Sequence, residues 1–586
     1  MKVFRTEYPR PEFVREKWLS LNGEWDFEFD FGNSGIRIGD YGNAKLINYR
    51  NREMLEKKFS RKINVPFCPE SDLSGIGYKD FINACWYKKE VEIPTSWKGK
   101  IILHFEAAYY ETLVFIGEKF ICKHEGGYTP FSCDVTDYIE DNKATILVHC
   151  AGDPRNGREP SGKQSISYES HGCFYTRTTG IWQSVWLEAA PDDYLEKVFI
   201  TPDIDNEVAN IKLFFNNVSD KKIRLTALYD NVTVSEKNCV STGKYLETQM
   251  EIKNPELWEI GNGRLYDLKI EVESDSGTDE VSSYFGMRKV EVDDKGMLLN
   301  GKKVMQKLVL DQGYYKDGIY TAQDADDLKK DIELSMSVGF NGARLHQKVF
   351  ERRFLYECDK AGYIVWGEYP SWNFDYSERE ALLNFLPEWM EAVERDYNHP
   401  AIVTWCPLNE NFPYDNKSQC DDFVKQLYLE TKRFDSTRPV VDVSWFTHVK
   451  TDFFDSHDYV QEIADFEKAY GSWKEGEAYD NLKQKYNGEP YVLSEFGGFQ
   501  WPVKEGGWGY GAAPKTEDEY EDRFTSFIKI LMNNPRICGF CYTQLYDVET
   551  EQNGVYYYSR ERKFDNDRME RLKKALDGKS KYEELK

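Results

Sequence analysis

Two stretches of this chain end an apolar run on a glutamate. Val403-Thr404-Trp405-Cys406-Pro407-Leu408 leads into Asn409-Glu410, and Pro490-Tyr491-Val492-Leu493-Ser494 leads into Glu495, followed by Phe496-Gly497-Gly498. A buried strand that carries a carboxylate at its C-terminal end presents an acid where a ligand can reach it. Two carboxylates facing each other are the parts that cleave an acetal. One protonates the departing oxygen and the other attacks or stabilises the anomeric carbon. The proton donor needs a raised pKa so that it starts protonated. Either glutamate alone reads as surface, because the chain has 101 acidic residues and most of them must be solvated. The pair is what points to chemistry, since both end strands and both stand within two residues of Asn or Gly. Asn409 adds an amide able to hydrogen-bond a sugar hydroxyl, a bond that can strengthen in the transition state.

The elements that must position this pair follow from the pattern of the chain. With 586 residues it is too long for one hydrophobic core. From Trp18 to about Ala190 short alternating runs, such as Ile101-Ile102-Leu103-His104-Phe105 and Thr145-Ile146-Leu147-Val148, are punctuated by Gly and Pro. This predicts a jelly-roll β-sandwich over residues 1–190. Runs such as Ala209-Asn210-Ile211-Lys212-Leu213 predict a second, immunoglobulin-like sandwich over 191–293, although no Cys-Trp-Cys core is present. From about Asp294 strand-like runs alternate with amphipathic stretches. Strands are expected near 307–310, 340–345, 363–366, 402–405, 440–443, 453–457, 491–495 and 538–543. Helices are expected between them, one over 325–338 with Gly339 as its stop and another over 379–397. Eight strands each followed by a helix make a (β/α)8 TIM barrel over 294–586, whose site lies at the C-terminal ends of its strands. Glu410 and Glu495 end the fourth and the seventh.

The formal net charge of −25 argues against nucleic acid or an anionic membrane surface as a partner. Aromatic residues reach 15%, which suits sugar-stacking surfaces and sandwich cores alike. The N-terminal residues have no apolar core of signal-peptide length, and no run approaches transmembrane length. The twelve cysteines are scattered without a disulfide-like framework, so a reducing, cytoplasmic location is expected. Cys538-Gly539-Phe540-Cys541 lies in an apolar run without a second pair or a nearby histidine, so it is read as two small buried residues.

Several segments together resemble glycoside hydrolase family 2, whose members include β-galactosidases, β-glucuronidases and β-mannosidases. Gly126-Gly127-Tyr128-Thr129-Pro130-Phe131 and Arg177-Thr178-Thr179-Gly180-Ile181-Trp182-Gln183 resemble segments of its first domain. Asn341-Gly342-Ala343-Arg344 resembles its barrel signature, Asn409-Glu410 its acid/base position and Ser494-Glu495-Phe496-Gly497 its nucleophile. The resemblance spans essentially the whole chain and implies Glu410 as acid/base and Glu495 as nucleophile. Arg344 either orients the nucleophile or forms an ordinary buried ion pair. Asp311 and Gln312 close strand one where many members place a His-Glu, a departure that changes the usual contacts. His346 follows the end of strand two and points to the rim. Glu368 resembles a position lining the pocket, and a tyrosine at the end of strand six, where His457 and Tyr459 stand, contacts the nucleophile in the family. Gln544 closes strand eight. Trp372 and Trp501 are either sugar platforms or loop packing.

The family's β-glucuronidases grip the substrate carboxylate with an Asn-x-Lys motif in the last barrel loop. The corresponding segment here, Glu551-Gln552-Asn553-Gly554-Val555-Tyr556, has no lysine and brings an acid that would repel a carboxylate, although Arg562 and Lys563 stand nearby. The expected substrate is therefore a small glycoside or oligosaccharide with a terminal neutral β-linked sugar, galactose or glucose by default. A uronide, as in a β-glucuronidase or β-galacturonidase, is the alternative within the same chemistry. A carbohydrate-binding protein without catalysis is the alternative outside it. No metal and no organic cofactor are expected, and one sandwich face is available for a homo-oligomer contact.

Overall fold

The structure, a computed structural model, describes residues 3–34, 36–38, 47–49, 51–412 and 417–585. In the first sandwich Trp18–Ser20, Val185–Ala190, Lys100–Phe105 and Phe131–Asp134 form one sheet. Lys119–Glu125, Glu111–Ile116, Lys143–Ala151, Ala84–Glu92, Gly23–Phe29 and Arg61–Val65 form the other. Strand alternation fills the space between them: in Gly23–Phe29, Trp25 and Phe27 point inward beside Ile63, Tyr87 and Leu103. The second sandwich packs a three-stranded sheet, Leu195–Asp203, Val208–Phe215 and Tyr245–Glu251, on a four-stranded one. Ala209, Ile211, Leu213 and Phe215 bury every second position of their strand, as the sequence pattern requires.

One cysteine expectation is corrected. Cys122 and Cys133 are joined by a disulfide between Lys119–Glu125 and Phe131–Asp134. The two strands sit on different sheets and are linked by a short turn, so the bridge staples the sandwich edge where spacing alone gives no framework. The remaining ten cysteines are free, and Cys538 and Cys541 are buried within one strand.

The third body is a curled parallel sheet with strand order Ile402–Cys406, Ile364–Glu368, Gly342–Leu345, Gln306–Asp311, Ile537–Thr543, Tyr491–Gly497, Phe454–Asp458. Seven strands are regular, and the expected fifth, at 440–443, is reduced to parallel bridges from Val440 to Trp405 and from Ser444 to Asn409. Asp442 explains the loss. Its buried carboxylate accepts from the backbone N–H groups of Val443, Val449 and Lys450, which draws the chain into a local turn instead of a ladder. Among the described residues no helix follows this segment, so seven helices surround the barrel where eight were expected. The helix at Ala325–Val338 begins on Asp324, whose side chain accepts from the N–H of Asp327, and stops at Gly339 in the left-handed region. The helix expected over 379–397 is Leu382–Asp396, preceded by one 3-10 turn.

The two family-like segments of the first sandwich press on the barrel. Tyr128 N–H donates to Glu388 at 2.6 Å, Thr129 donates to Glu391 at 2.7 Å, and Trp182 packs on Tyr320. Gly126 allows this close approach, because a Cβ there would stand 2.8 Å from the carboxyl carbon of Glu388. Among the described residues no helix is long and apolar enough to cross a membrane. Gly339 has φ +105°, and a Cβ would lie 2.9 Å from that of Leu576. Gly339→Ala is therefore expected to destabilise the barrel by about 1–2 kcal/mol. A lower urea midpoint by circular dichroism checks this, and an unchanged midpoint contradicts it.

Candidate active site

The C-terminal ends of strands two, three, four, six and seven converge on one buried guanidinium. Arg344 donates from Nε to Glu368 at 2.5 Å and from Nη2 to Asn409 Oδ1 at 2.8 Å. Its Nη1 donates to the Ser494 carbonyl at 3.0 Å and to Glu495 at 3.2 Å. The side chain is fully buried, so each of these partners compensates a charge that water does not reach. Glu368 is held down at about 2: burial pushes it up, and the fields of Arg344 and His346 outweigh the burial. His346 lies between Glu368, at 3.1 Å, and Glu495, at 3.9 Å, and burial holds its ring down at about 4.

Glu410 and Glu495 meet across this centre. One carboxylate oxygen from each, together with a ring nitrogen of His457, lie within 4.8 Å of one another. Both glutamates are buried. Tyr459 donates its hydroxyl to Glu495 and stacks flat on Tyr510. Glu410 sits in left-handed backbone at φ +47°, its N–H bonded to the Ser444 carbonyl at 3.0 Å. Gln347, Trp445 and Phe446 at the same rim also have positive φ. Strain of this kind persists where surrounding contacts fix the chain, and it gathers at functional sites.

Proton positions follow from which groups can only accept. His448 lies between Asp442 at 2.8 Å and Asp455 at 2.9 Å. Burial pushes its pKa down, but the two acids win and raise it to about 10. Asp455 is held well below the carboxylate range, burial opposing and His448 prevailing, so it is an anion that only accepts. Ser444 therefore gives its proton to Asp455 at 2.7 Å and accepts from His457 Nε2 at 3.0 Å. The Arg344 Nη1 hydrogens are committed to Ser494 and Glu495, and its 3.4 Å approach to His457 is the longest of the three. This leaves the lone pair of His457 Nδ1 facing Glu410 at 2.7 Å. That contact is a hydrogen bond when Glu410 carries the proton. Burial pushes the Glu410 carboxyl up to about 7 against the fields of Lys163 and Arg344, and burial holds His457 down at about 4.

The remaining sequence-predicted residues divide by position. Asn409 spends its oxygen on Arg344, and its buried Nδ2 has no partner, which leaves a donor for a ligand. Trp372 is half-buried, donates from Nε1 to the Asn409 carbonyl at 3.0 Å and stands beside Lys163. Gln312 and Gln544 are bonded to each other at 3.0 Å, and Gln544 reaches Asn553 at 2.7 Å. Asp311 lies outside this group: it accepts from Tyr546 and the Gly313 N–H, and burial raises its carboxyl to about 6. Trp501 also lies apart, bonded through its N–H to the Gln552 carbonyl and packed near Tyr520. Sequence reading missed Ser444, Asp455, Tyr510 and Lys163. Asp455 stands two residues before His457, which is the one local signal. Glu410, His457 and Glu495 also form the one group of three among the described residues whose donor atoms could hold a metal ion. Arg344 at 3.2 Å from Glu495 opposes a cation there by charge.

Comparison with known proteins gives matches along the chain. Residues 18–191 match the sugar binding domain of glycosyl hydrolases family 2, residues 194–288 match glycosyl hydrolases family 2, and residues 290–528 match its TIM barrel domain. A β-glucuronidase of Sus scrofa is 25% identical over 492 residues, covering 76% of this chain and 71% of that protein. A β-galactosidase of Thermoanaerobacterium thermosulfurigenes is 25% identical over 521 residues, covering 83% of this chain and 66% of that protein. Among solved structures, a Ruminococcus gnavus β-glucuronidase aligns with a TM-score of 0.78 at 19% identity, covering 98% of this chain and all of that one. An Eisenbergiella tayi β-galacturonidase aligns at 0.72 and 18%, with the same coverage. At such identities the structural likeness shows the fold.

A group that must start protonated and titrates near 7 limits activity on the alkaline side. kcat/KM is expected to fall as pH rises above about 7, as Glu410 loses its proton. Ser444→Ala removes the acceptor that fixes the His457 tautomer, so this limb should move to lower pH with melting temperature retained. A limb that does not move contradicts the proton assignment.

Proposed function

The chain belongs to glycosyl hydrolases family 2, and from that premise we propose that it is a retaining exo-β-glycosidase working through Glu410 and Glu495. The observation that carries this reading is that one oxygen of each carboxylate lies within 4.8 Å of one oxygen of the other. Retaining enzymes hold the two carboxyl groups about 5–5.5 Å apart, whereas inverting ones leave about 6.5–9.5 Å for a water. In the first step Glu410 gives its proton to the glycosidic oxygen while Glu495 bonds to the anomeric carbon, and the aglycone leaves as an alcohol. In the second step Glu410, now a carboxylate, takes a proton from water, whose oxygen displaces Glu495. Arg344 and Tyr459 hold the Glu495 oxygens for in-line attack, and the unpartnered Asn409 amide is placed to bind a glycon hydroxyl. The working domain division is 1–190, 191–293 and 294–586.

For the glycon, the first reading remains a neutral sugar, supported by Glu551. Its buried carboxylate accepts from Tyr175 and from Asn553 Nδ2 at 3.0 Å, adding negative charge beside the site. A second reading, a uronide, is favoured by a cation that the first sandwich supplies: Lys163 is buried near Glu410 and Glu495. Several relatives bear the name β-glucuronidase and others β-galactosidase, so their names fit both.

Hydrolysis of a panel of nitrophenyl β-galactoside, β-glucoside, β-glucuronide and β-galacturonide tests the function. Glu495→Ala should lower kcat by roughly 10³-fold or more on any substrate cut, with folding intact. Glu410→Ala should cost roughly 10²–10⁴-fold on an alkyl glycoside but far less on a dinitrophenyl glycoside, whose leaving group needs no proton. Near-wild-type rates for Glu495→Ala, or no release from any of the four, would sink the proposal.

A further inference from the structure

Lys163 is a charged side chain at the site whose ammonium faces the Trp372 ring but no acceptor. It is 3% exposed. Among the described residues its ammonium has no hydrogen-bond acceptor and no carboxylate within 4.0 Å. Burial pushes its pKa down, yet the fields of Cys173, Glu551, Glu495 and Glu410 raise it, so the ammonium stays protonated. The reciprocal effect places it at the catalytic pair: its field lowers both Glu410 and His346. An ammonium that is almost buried, faces an aromatic ring and has no acceptor of its own is open to be completed by a ligand oxygen.

The position is built. Lys163 rides on the loop between Lys143–Ala151 and Gly180–Ile181 of the first sandwich. Asn373, in the loop after barrel strand three, donates its amide to Ser161 Oγ at 2.9 Å and to the carbonyls of Gly162 and Gln164 at 3.2 and 3.1 Å. Gly162 permits the approach: φ is +56°, and a Cβ would stand 2.5 Å from the Gln347 carbonyl. The Lys163 carbonyl accepts from the Tyr175 N–H at 2.8 Å, and Nζ lies 4.6 Å from the centre of the Trp372 ring, whose Nε1 holds the Asn409 carbonyl. The lysine is thus tied through one tryptophan to the residue beside Glu410.

We propose that Lys163 binds the glycon, donating from its ammonium to an oxygen of the terminal sugar, so that the first sandwich supplies a specificity residue to the barrel's site. This rests on the two-glutamate reading. The acceptor is a carboxylate oxygen in a uronide or a hydroxyl oxygen in a neutral sugar, and the two differ in which sugars depend on the lysine.

The test compares the wild-type protein with Lys163→Met, which keeps the stem on Trp372, and with Lys163→Arg, which keeps the charge. Calorimetric binding of galactose, glucose, glucuronate and galacturonate is measured beside kinetics on the matching nitrophenyl glycosides. Lys163→Met should weaken binding and raise KM by roughly tenfold or more with a smaller change in kcat, and Lys163→Arg should recover part of it. Melting temperature should hold in Lys163→Met, because the variant removes a largely buried charge that has no acceptor and keeps the stem on Trp372, whereas a structural lysine would lower it. Loss confined to the two uronates identifies a carboxylate, and loss shared by the neutral sugars identifies a hydroxyl. Affinity and KM within twofold of wild type for every sugar, or no affinity in the wild type to lose, would overturn the proposal. A wild type that binds sugars but releases no nitrophenol would instead sink the glycosidase reading and leave the binding comparison to decide Lys163.

Discussion

The ends of strands two, three, four and seven are arranged around the desolvated charge of Arg344. A guanidinium cannot neutralise itself by losing a proton, so its burial demands acceptors from several directions at once. Glu368 comes from strand three, Asn409 follows strand four, and Ser494 and Glu495 come from strand seven. Taking one partner from such a group typically costs about 3–5 kcal/mol, because the other charge is left uncompensated. One requirement of stability therefore fixes the distance between segments that carry chemistry. Glu495 is placed by the same bonds that satisfy the arginine, and Asn409 sets the strand end from which Glu410 projects.

The two candidate glutamates are then made different by what faces them. Glu495 faces donors, the Arg344 N–H and the Tyr459 hydroxyl. Glu410 faces a lone pair, because the Asp442–His448–Asp455 cluster fixes the proton of Ser444 and, through it, that of His457. Of the two glutamates, burial pushes the Glu410 carboxyl up. The hydrogen-bonding partners separate them into a group set up to give a proton and a group set up to attack. His457 belongs to this machinery as the residue that reads the proton state of Glu410, a role its position at the end of strand six does not reveal.

Much of this was legible in the chain. Strand periodicity and the Gly339 stop located the barrel elements, since amphipathic period and helix stops are local properties, whereas the Asp324 cap emerged only in the structure. Glu410, Glu495, Arg344 and Tyr459 could be picked out because each closes a strand or resembles a family motif. What stayed hidden depends on distant chain segments. Lys163 reaches the site on a loop of another domain, and its approach depends on Gly162 and Asn373 meeting in space. The fifth strand dissolves because Asp442 satisfies three backbone donors, a competition that an apolar run does not display. Asp311 ends strand one as expected but turns to Tyr546. The Cys122–Cys133 bridge joins strands of two sheets that sequence spacing could not pair.

The central claim is that two carboxylates stand close enough for one of them to bond to the sugar. Proton NMR of the first sugar released from an accepted β-glycoside, recorded before mutarotation, tests it most directly. The account predicts the β-anomer first, with the α-anomer appearing only as the sugar equilibrates. An α-anomer appearing first would mean that water attacks directly across a wider gap, and would contradict it.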